Sequence, residues 1–170
     1  MTPRVIGAAA RRGSILLAAA LLAACAQLPR PAEIITGGIV RSGRLALSVP
    51  NQPQQSFSAA FELRGKPEAG LLVLFTPIGG TAAQLRWQPG QAVLQVPGQP
   101  DQSFSSLDAM VEKATGAPVP VAALFDWLAG VNTPVSGWEA DLSALAEGRL
   151  RAQRRDPPPP ADLRVVLDGQ

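Results

Sequence analysis

From Gly43 to Leu167 apolar and polar residues alternate with a period of two, broken once by a stretch of helical period. Arg44-Leu45-Ala46-Leu47-Ser48-Val49 puts Leu45, Leu47 and Val49 on one face and predicts a first strand, followed by a polar turn over 50–55. Phe57 to Arg64 alternates more clearly: Phe57, Ala59, Phe61 and Leu63 are expected inside, and Ser58, Glu62 and Arg64 outside. Gly65-Lys66-Pro67-Glu68 ends that strand. Leu71 to Phe75 is an unbroken apolar run, and after a turn Thr81 to Trp87 returns with Ala83, Leu85 and Trp87 on one face. Pro89-Gly90 then turns the chain into Ala92-Val93-Leu94-Gln95-Val96. The expectation is a meander of five antiparallel strands. Their spacing of roughly 10 to 15 residues favours an all-β sheet or barrel over βαβ units.

The turn Thr76-Pro77-Ile78-Gly79-Gly80 differs from an ordinary one because its tip is apolar. Pro77 can fix φ, Gly79 and Gly80 can take positive-φ positions, and Ile78 is left between them. Either Ile78 folds back into the core, or it projects as an apolar finger toward a membrane or a lipid.

The period changes after Phe104. Ser105 can cap a helix bearing Leu107, Met110, Val111 and Ala114 on one face, with Asp108 completing a capping box and Gly116 as the stop. A second short helix can begin with Pro120 in its first turn and run through Val121, Leu124, Phe125 and Leu128 to Gly130. The simplest packing lays both across an open face of the sheet, as a lid. Strand patterns return at Trp138 to Leu142, at Gly148 to Arg155 and at Leu163 to Leu167, the last two separated by prolines 157–160, which cannot pair in a ladder.

The first residues carry a different signal. Arg4, Arg11 and Arg12 precede the apolar run Ile15 to Ala24, which at ~1.5 Å per helical residue reaches only about half of a ~30 Å hydrocarbon core. The run ends in Leu22-Ala23-Ala24-Cys25, which resembles the lipobox of bacterial lipoproteins. That resemblance implies a signal peptide over 1–24, cleavage before Cys25, diacylglycerol on its sulfur and an N-acyl group. It makes 25–38 a lipidated tether and 39–170 the single domain. Ala26 stands after the lipidated position instead of Asp, so the outer membrane is expected, with the domain facing the periplasm.

Removing 1–24 takes three of the 15 basic residues and none of the 13 acidic ones, leaving 12 against 13. The basic character of the whole chain therefore belongs largely to the signal peptide, and nothing points to nucleic acid. The remaining length suffices for one domain with a core. A monomer is expected.

Catalytic chemistry is scarce. With no His and no Tyr, and the sole Cys lipidated, Ser-His-Asp and Cys-His arrangements and imidazole or thiolate metal sites are excluded, and no cofactor is expected. Lys66 and Lys113 fall at ordinary solvated positions, and Asp108 and Glu112 share an outer helix face as a solvated pair. No enzymatic activity is expected. Arg149, Arg151 and Arg155 would share one strand face, either simply solvated or a patch for lipid headgroups or an acidic partner. Trp87, Trp127 and Trp138 are expected in the core.

One series of residues runs through the chain in order: Gly43-Arg44-Leu45-Ala46, Phe57-Ser58-Ala59 with Phe61, Pro77-Ile78-Gly79, Gly116, Pro118, Pro120, Leu124, Trp127-Leu128, Gly130, Gly137-Trp138, and Pro160 with Leu163 to Asp168. In these the chain resembles the LolB family of outer-membrane lipoprotein receptors. The resemblance implies a half-open antiparallel β-barrel, mainly β, with short helices as a lid over an apolar cavity. It also implies acceptance of acylated lipoproteins from the periplasmic carrier LolA and their release into the phospholipid of the outer membrane's inner leaflet. In that family an exposed hydrophobic residue between Pro and Gly is needed for delivery, and here it falls on Ile78, flanked by Pro77 and Gly79. Leu45, Leu47, Phe57, Phe61, Leu74, Leu85, Trp87, Leu124 and Leu128 lie on the predicted inner faces and are candidates for the cavity wall. The competing reading is a structural lipoprotein that scaffolds outer-membrane protein or envelope assembly.

Overall fold

The computed structural model describes residues 38–50, 53, 56–115, 118–156 and 158–169. The expected signal peptide, Cys25, the expected tether before Gly38 and the expected helix stop at Gly116 lie outside the described residues.

Among the described residues, nine strands form one antiparallel sheet: β1 (Ile39–Ser48), β2 (Phe57–Lys66), β3 (Ala69–Phe75), β4 (Thr81–Gln88), β5 (Gln91–Gln95), β6 (Gln102–Phe104), β7 (Trp138–Asp141), β8 (Arg149–Arg154) and β9 (Ala161–Leu167). Their order is β6-β5-β4-β3-β2-β1-β9-β8-β7, so the first strand pairs with the last and the sheet stays open between β6 and β7. Two helices, α1 (Leu107–Thr115) and α2 (Val121–Leu128), connect those two edges in sequence. The fold is mainly β, as expected, and its open sheet with two short helices is that of an open barrel with a helical lid.

The meander holds six strands, not five. Gln102-Ser103-Phe104 offers one apolar residue in three, too little for a period to show, yet it pairs with Ala92 to Leu94. The cap of α1 is also displaced by one residue: Ser106, not Ser105, accepts the Ala109 N–H through its hydroxyl at 3.1 Å, which places the N-cap directly before Leu107. At Gly43 the backbone of β9 comes so close that an added Cβ would lie 2.0 Å from the Val166 carbonyl oxygen. Only glycine lets β1 and β9 approach there.

The inward faces of the strands and the apolar faces of both helices form one core that includes Leu47, Phe61, Trp87, Met110, Phe125, Trp127, Trp138 and Leu163. The three tryptophans are buried, as expected, and each indole N–H finds a carbonyl. Trp87 donates to Lys66 and Pro67, Trp127 to Thr133 at 3.0 Å, and Trp138 to Pro118 at 3.2 Å. Burying so large a ring requires such a partner for its polar atom. The result is that the segments on either side of α2 are tied to the core at Pro118 and Thr133. All strands, both helices and this core fall within the compact unit Ile35–Gln170, which meets the condition for folding alone.

Candidate functional site

Between the concave side of the sheet and the two helices lies a cavity of about 390 Å³. All nine residues singled out for their inner-face positions line it: Leu45, Leu47, Phe57, Phe61, Leu74, Leu85, Trp87, Leu124 and Leu128. Leu63, Leu72, Ala83, Leu94, Val96, Leu163 and Val165 complete the strand wall, and Leu107, Val111, Ala114, Val119 and Val121 the helical side. Alternation marks Leu63 and Ala83 among these, whereas Leu72 lies in an unbroken apolar run and Leu94, Val96, Leu163 and Val165 had only a strand position. The helix positions followed from their apolar face, but which of them meet a void and which meet packed neighbours is a tertiary property.

Among the described residues that line the cavity Thr115 is the one polar residue, and its hydroxyl donates to the Val111 carbonyl at 2.8 Å. A buried water needs two to four polar partners, so this wall offers water little reason to stay. The volume falls within the ~300–1,000 Å³ of small-molecule sites, and its chemistry suits a chain of methylenes.

Phe57 corrects one expectation. It lines the cavity but is 36% exposed, because it is the first residue of β2 and sits at the sheet's end, where Leu47 is its neighbour. The apolar tip lies at the same end. Ala60 pairs with Phe75, so the turn that follows β3 extends alongside the start of β2.

That turn is held by its own backbone. The Thr76 N–H donates to the Gly80 carbonyl at 2.7 Å, the Gly79 N–H to the Thr76 carbonyl at 2.9 Å, and the Gly80 N–H to the Thr76 hydroxyl at 3.0 Å. Gly79 alone takes a positive φ, +85°; Gly80 does not, although both were expected to. Pro77, Ile78 and Gly79 are exposed, and Ile78 is 95% exposed. The alternative in which Ile78 folds back into the core is therefore excluded. Its side chain gains nothing from packing in the fold.

Arg149, Arg151 and Arg155 stand at two positions. Arg151 and Arg155 border a polar surface recess with Glu139, Asp141 and Gln153, whereas Arg149 lies at the far end of β8. From Arg149 to Arg155 a strand would run roughly 20 Å. Arg154, in the same run, is buried at 6% exposure and donates to the Pro159 carbonyl at 3.4 Å. Asp162 gathers Arg151, Gln153 and Arg164 around its carboxylate, with Arg164 Nε at 2.8 Å and Gln153 Nε2 at 2.9 Å. Burial pushes the Asp162 carboxyl up, but the hydrogen bonds from those three side chains and the Arg164 charge outweigh it, so its pKa lies below the ordinary value. Asp141 is lowered too, chiefly by hydrogen bonding from Ser143.

Compared with known families, residues 40–157 match the model described as outer membrane lipoprotein LolB. That span holds the turn at Ile78, both helices and all nine cavity candidates. The chain belongs to the LolB family. Among LolB relatives, the outer-membrane lipoprotein LolB of Bordetella petrii is 33% identical over 163 residues, covering 81% of this chain and 82% of that protein. That of Bordetella pertussis is 34% identical over 120 residues, 69% of this chain and 60% of the relative's length. That of Dechloromonas aromatica is 28% identical over 181 residues, 94% and 91% of the two chains.

Proposed function

We propose that this LolB-family protein accepts acylated lipoproteins from a LolA-type periplasmic carrier, shelters their acyl chains in the cavity, and releases them into the inner leaflet of the outer membrane. The observation that carries this reading is a cavity with an almost wholly apolar wall whose rim, at Phe57, shares one end of the sheet with the exposed Ile78. Lipids on Cys25 would keep the domain at that membrane, and the relatives' shared name, outer-membrane lipoprotein, supports the location.

A magnitude explains why shelter is needed. An acyl chain of about 15 methylenes at ~0.8 kcal/mol each costs roughly 12 kcal/mol to expose to water, and a lipoprotein carries several. Transfer therefore runs from one apolar cavity to another and then to the bilayer, downhill in lipid affinity. No step calls for a nucleotide, a cofactor or a catalytic residue of this chain. Ile78 would enter the bilayer first, since an exposed branched side chain on a hydrogen-bonded turn loses little entropy on insertion.

The test mixes residues 35–170, free of lipid, with carrier loaded with a radiolabelled lipoprotein. Movement of the label to this protein is expected. A folded domain that takes up no label would overturn the acyl-acceptor reading and leave the envelope scaffold in its place.

A further inference from the structure

We propose that the outer face of β8, β9 and β1 docks on the anionic phospholipid surface of the bilayer, with Arg44, Arg149 and Arg164 meeting headgroup phosphates around the exposed Val166. Arg149 on β8 is paired with Val166, and Val166 with Arg44 on β1, so the three stand side by side in one row. Cross-strand neighbours lie ~5 Å apart, and all three are exposed. Arg164 precedes Val166 by two residues on the same face of β9, with Arg151 beside it.

The charge of this face is cancelled only in part from within, and Arg44 and Arg149 are the groups left over. Asp162 holds both Arg151 and Arg164, yet the Arg164 side chain remains 64% exposed. Neither Arg44 nor Arg149 is in an ion pair among the described residues. The acids on or beside the face are Asp168, two residues beyond Val166 and opposite Ser42, Glu139 and Asp141 on β7, opposite Gln153 and Arg151, and Glu62, which is paired with Arg64 on β2. Arg151 and Arg164 thus share the Asp162 carboxylate, while Arg44 and Arg149 flank Val166 with no ion pair of their own among the described residues. Guanidinium forks bind phosphate oxygens bidentately, and Asp162 holds two of them in place before any ligand arrives.

Position favours a bilayer over an acidic protein. Arg164 shares its row with Ala46 and Ser58, next to the end of the sheet where Phe57 and the Ile78 turn lie. One surface can therefore meet the basic face and the apolar tip together. β1 is also the strand by which the chain enters the domain from residues 25–38. On the proposed lipid anchor at Cys25, that length keeps the face within ~40–45 Å of headgroups. This last point rests on the proposed function; the charge arrangement does not.

The test is sedimentation of residues 35–170 with vesicles of phosphatidylcholine containing phosphatidylglycerol, against phosphatidylcholine alone, at low and high salt. Binding is expected to the anionic vesicles only, and to fall with salt as the attraction is screened. Each arginine near an anionic surface contributes roughly fivefold, so Arg44→Glu with Arg149→Glu should weaken binding by about 25-fold or more. Arg44→Gln with Arg149→Gln should show a smaller loss in the same direction, and the salt series on the unaltered protein tests the idea without any variant. Equal binding to both vesicles, or none by folded protein, overturns it. So would charge reversal that spares vesicle binding but stops label transfer from the carrier, which would make the face a protein dock. Failed label transfer alongside salt-sensitive vesicle binding would sink the acyl-acceptor reading and leave this one standing.

Discussion

Trp87 meets Phe125 edge-on, with ring centroids 6.1 Å apart and ring planes at 72°. The contact joins the sheet wall to α2, and Trp87 is itself fixed by two hydrogen bonds to the β2–β3 turn. The lid helix is therefore tied to the wall by packing, with Phe125 buried at 5% exposure. Truncating such a ring removes its burial and leaves a cavity. Phe125→Ala should cost about 3–5 kcal/mol, and Phe125→Leu markedly less, by urea denaturation. A Phe125→Ala domain as stable as its parent would show that α2 is not held this way.

Gly70 shows how tight the same wall is. A Cβ there would lie 2.3 Å from Trp87 Cζ2 and 2.7 Å from the Arg64 carbonyl oxygen. The indole cannot retreat without breaking its hydrogen bonds, so Gly70→Ala should destabilise by roughly 1–3 kcal/mol through overpacking. A melting temperature unchanged from that of the unaltered protein would contradict it.

Much of this was legible in the chain because period-two alternation is a direct consequence of pleated geometry. Leu45, Leu47 and Phe61 face inward for the same reason that Arg44 and Glu62 face outward; every strand but β6 could be placed, β3 from its unbroken apolar run, and the two helices from their 3.6-residue period. What stayed hidden depended on tertiary neighbours. β6 is too short to have a period, and its identity comes from the β5 edge it covers. Arg154 reads as one charge in a run, but its inward parity buries it near Pro159. Ile78 could be core or finger until its surroundings were known. The pairing of Arg149, Val166 and Arg44 joins residues more than a hundred positions apart, and no local pattern announces a register of that kind.

The Asp162 network sets a pH dependence. Its folded-state pKa lies below the ordinary value, so the native state holds this carboxylate ionised more tightly than the unfolded chain does. That contribution is present above the unfolded value of ~3.9 and is lost as pH falls through the folded one. Stability should therefore decline below about pH 4, and Asp162→Asn should flatten part of that decline. Asp141, also lowered, will keep some of the slope. Denaturation midpoints of both proteins from neutral to acid pH check this; parallel curves would remove Asp162 from the account.

The cavity and the tip should separate by mutation. Ala83 lines the void on β4 and pairs with Leu74, so Ala83→Trp should fill space in place of a ligand and abolish uptake of an acyl chain or hydrophobic dye while the domain stays folded. Ile78 is 95% exposed, so Ile78→Glu should leave stability within about 0.5 kcal/mol and dye binding intact. In the lipidated full-length protein it should instead block the last step, release of labelled lipoprotein into vesicles, because a carboxylate resists entry into hydrocarbon. Loaded protein that cannot unload is the expected phenotype. Unchanged release by Ile78→Glu would refute the finger, and dye binding that survives Ala83→Trp would show that the void is not where acyl chains go.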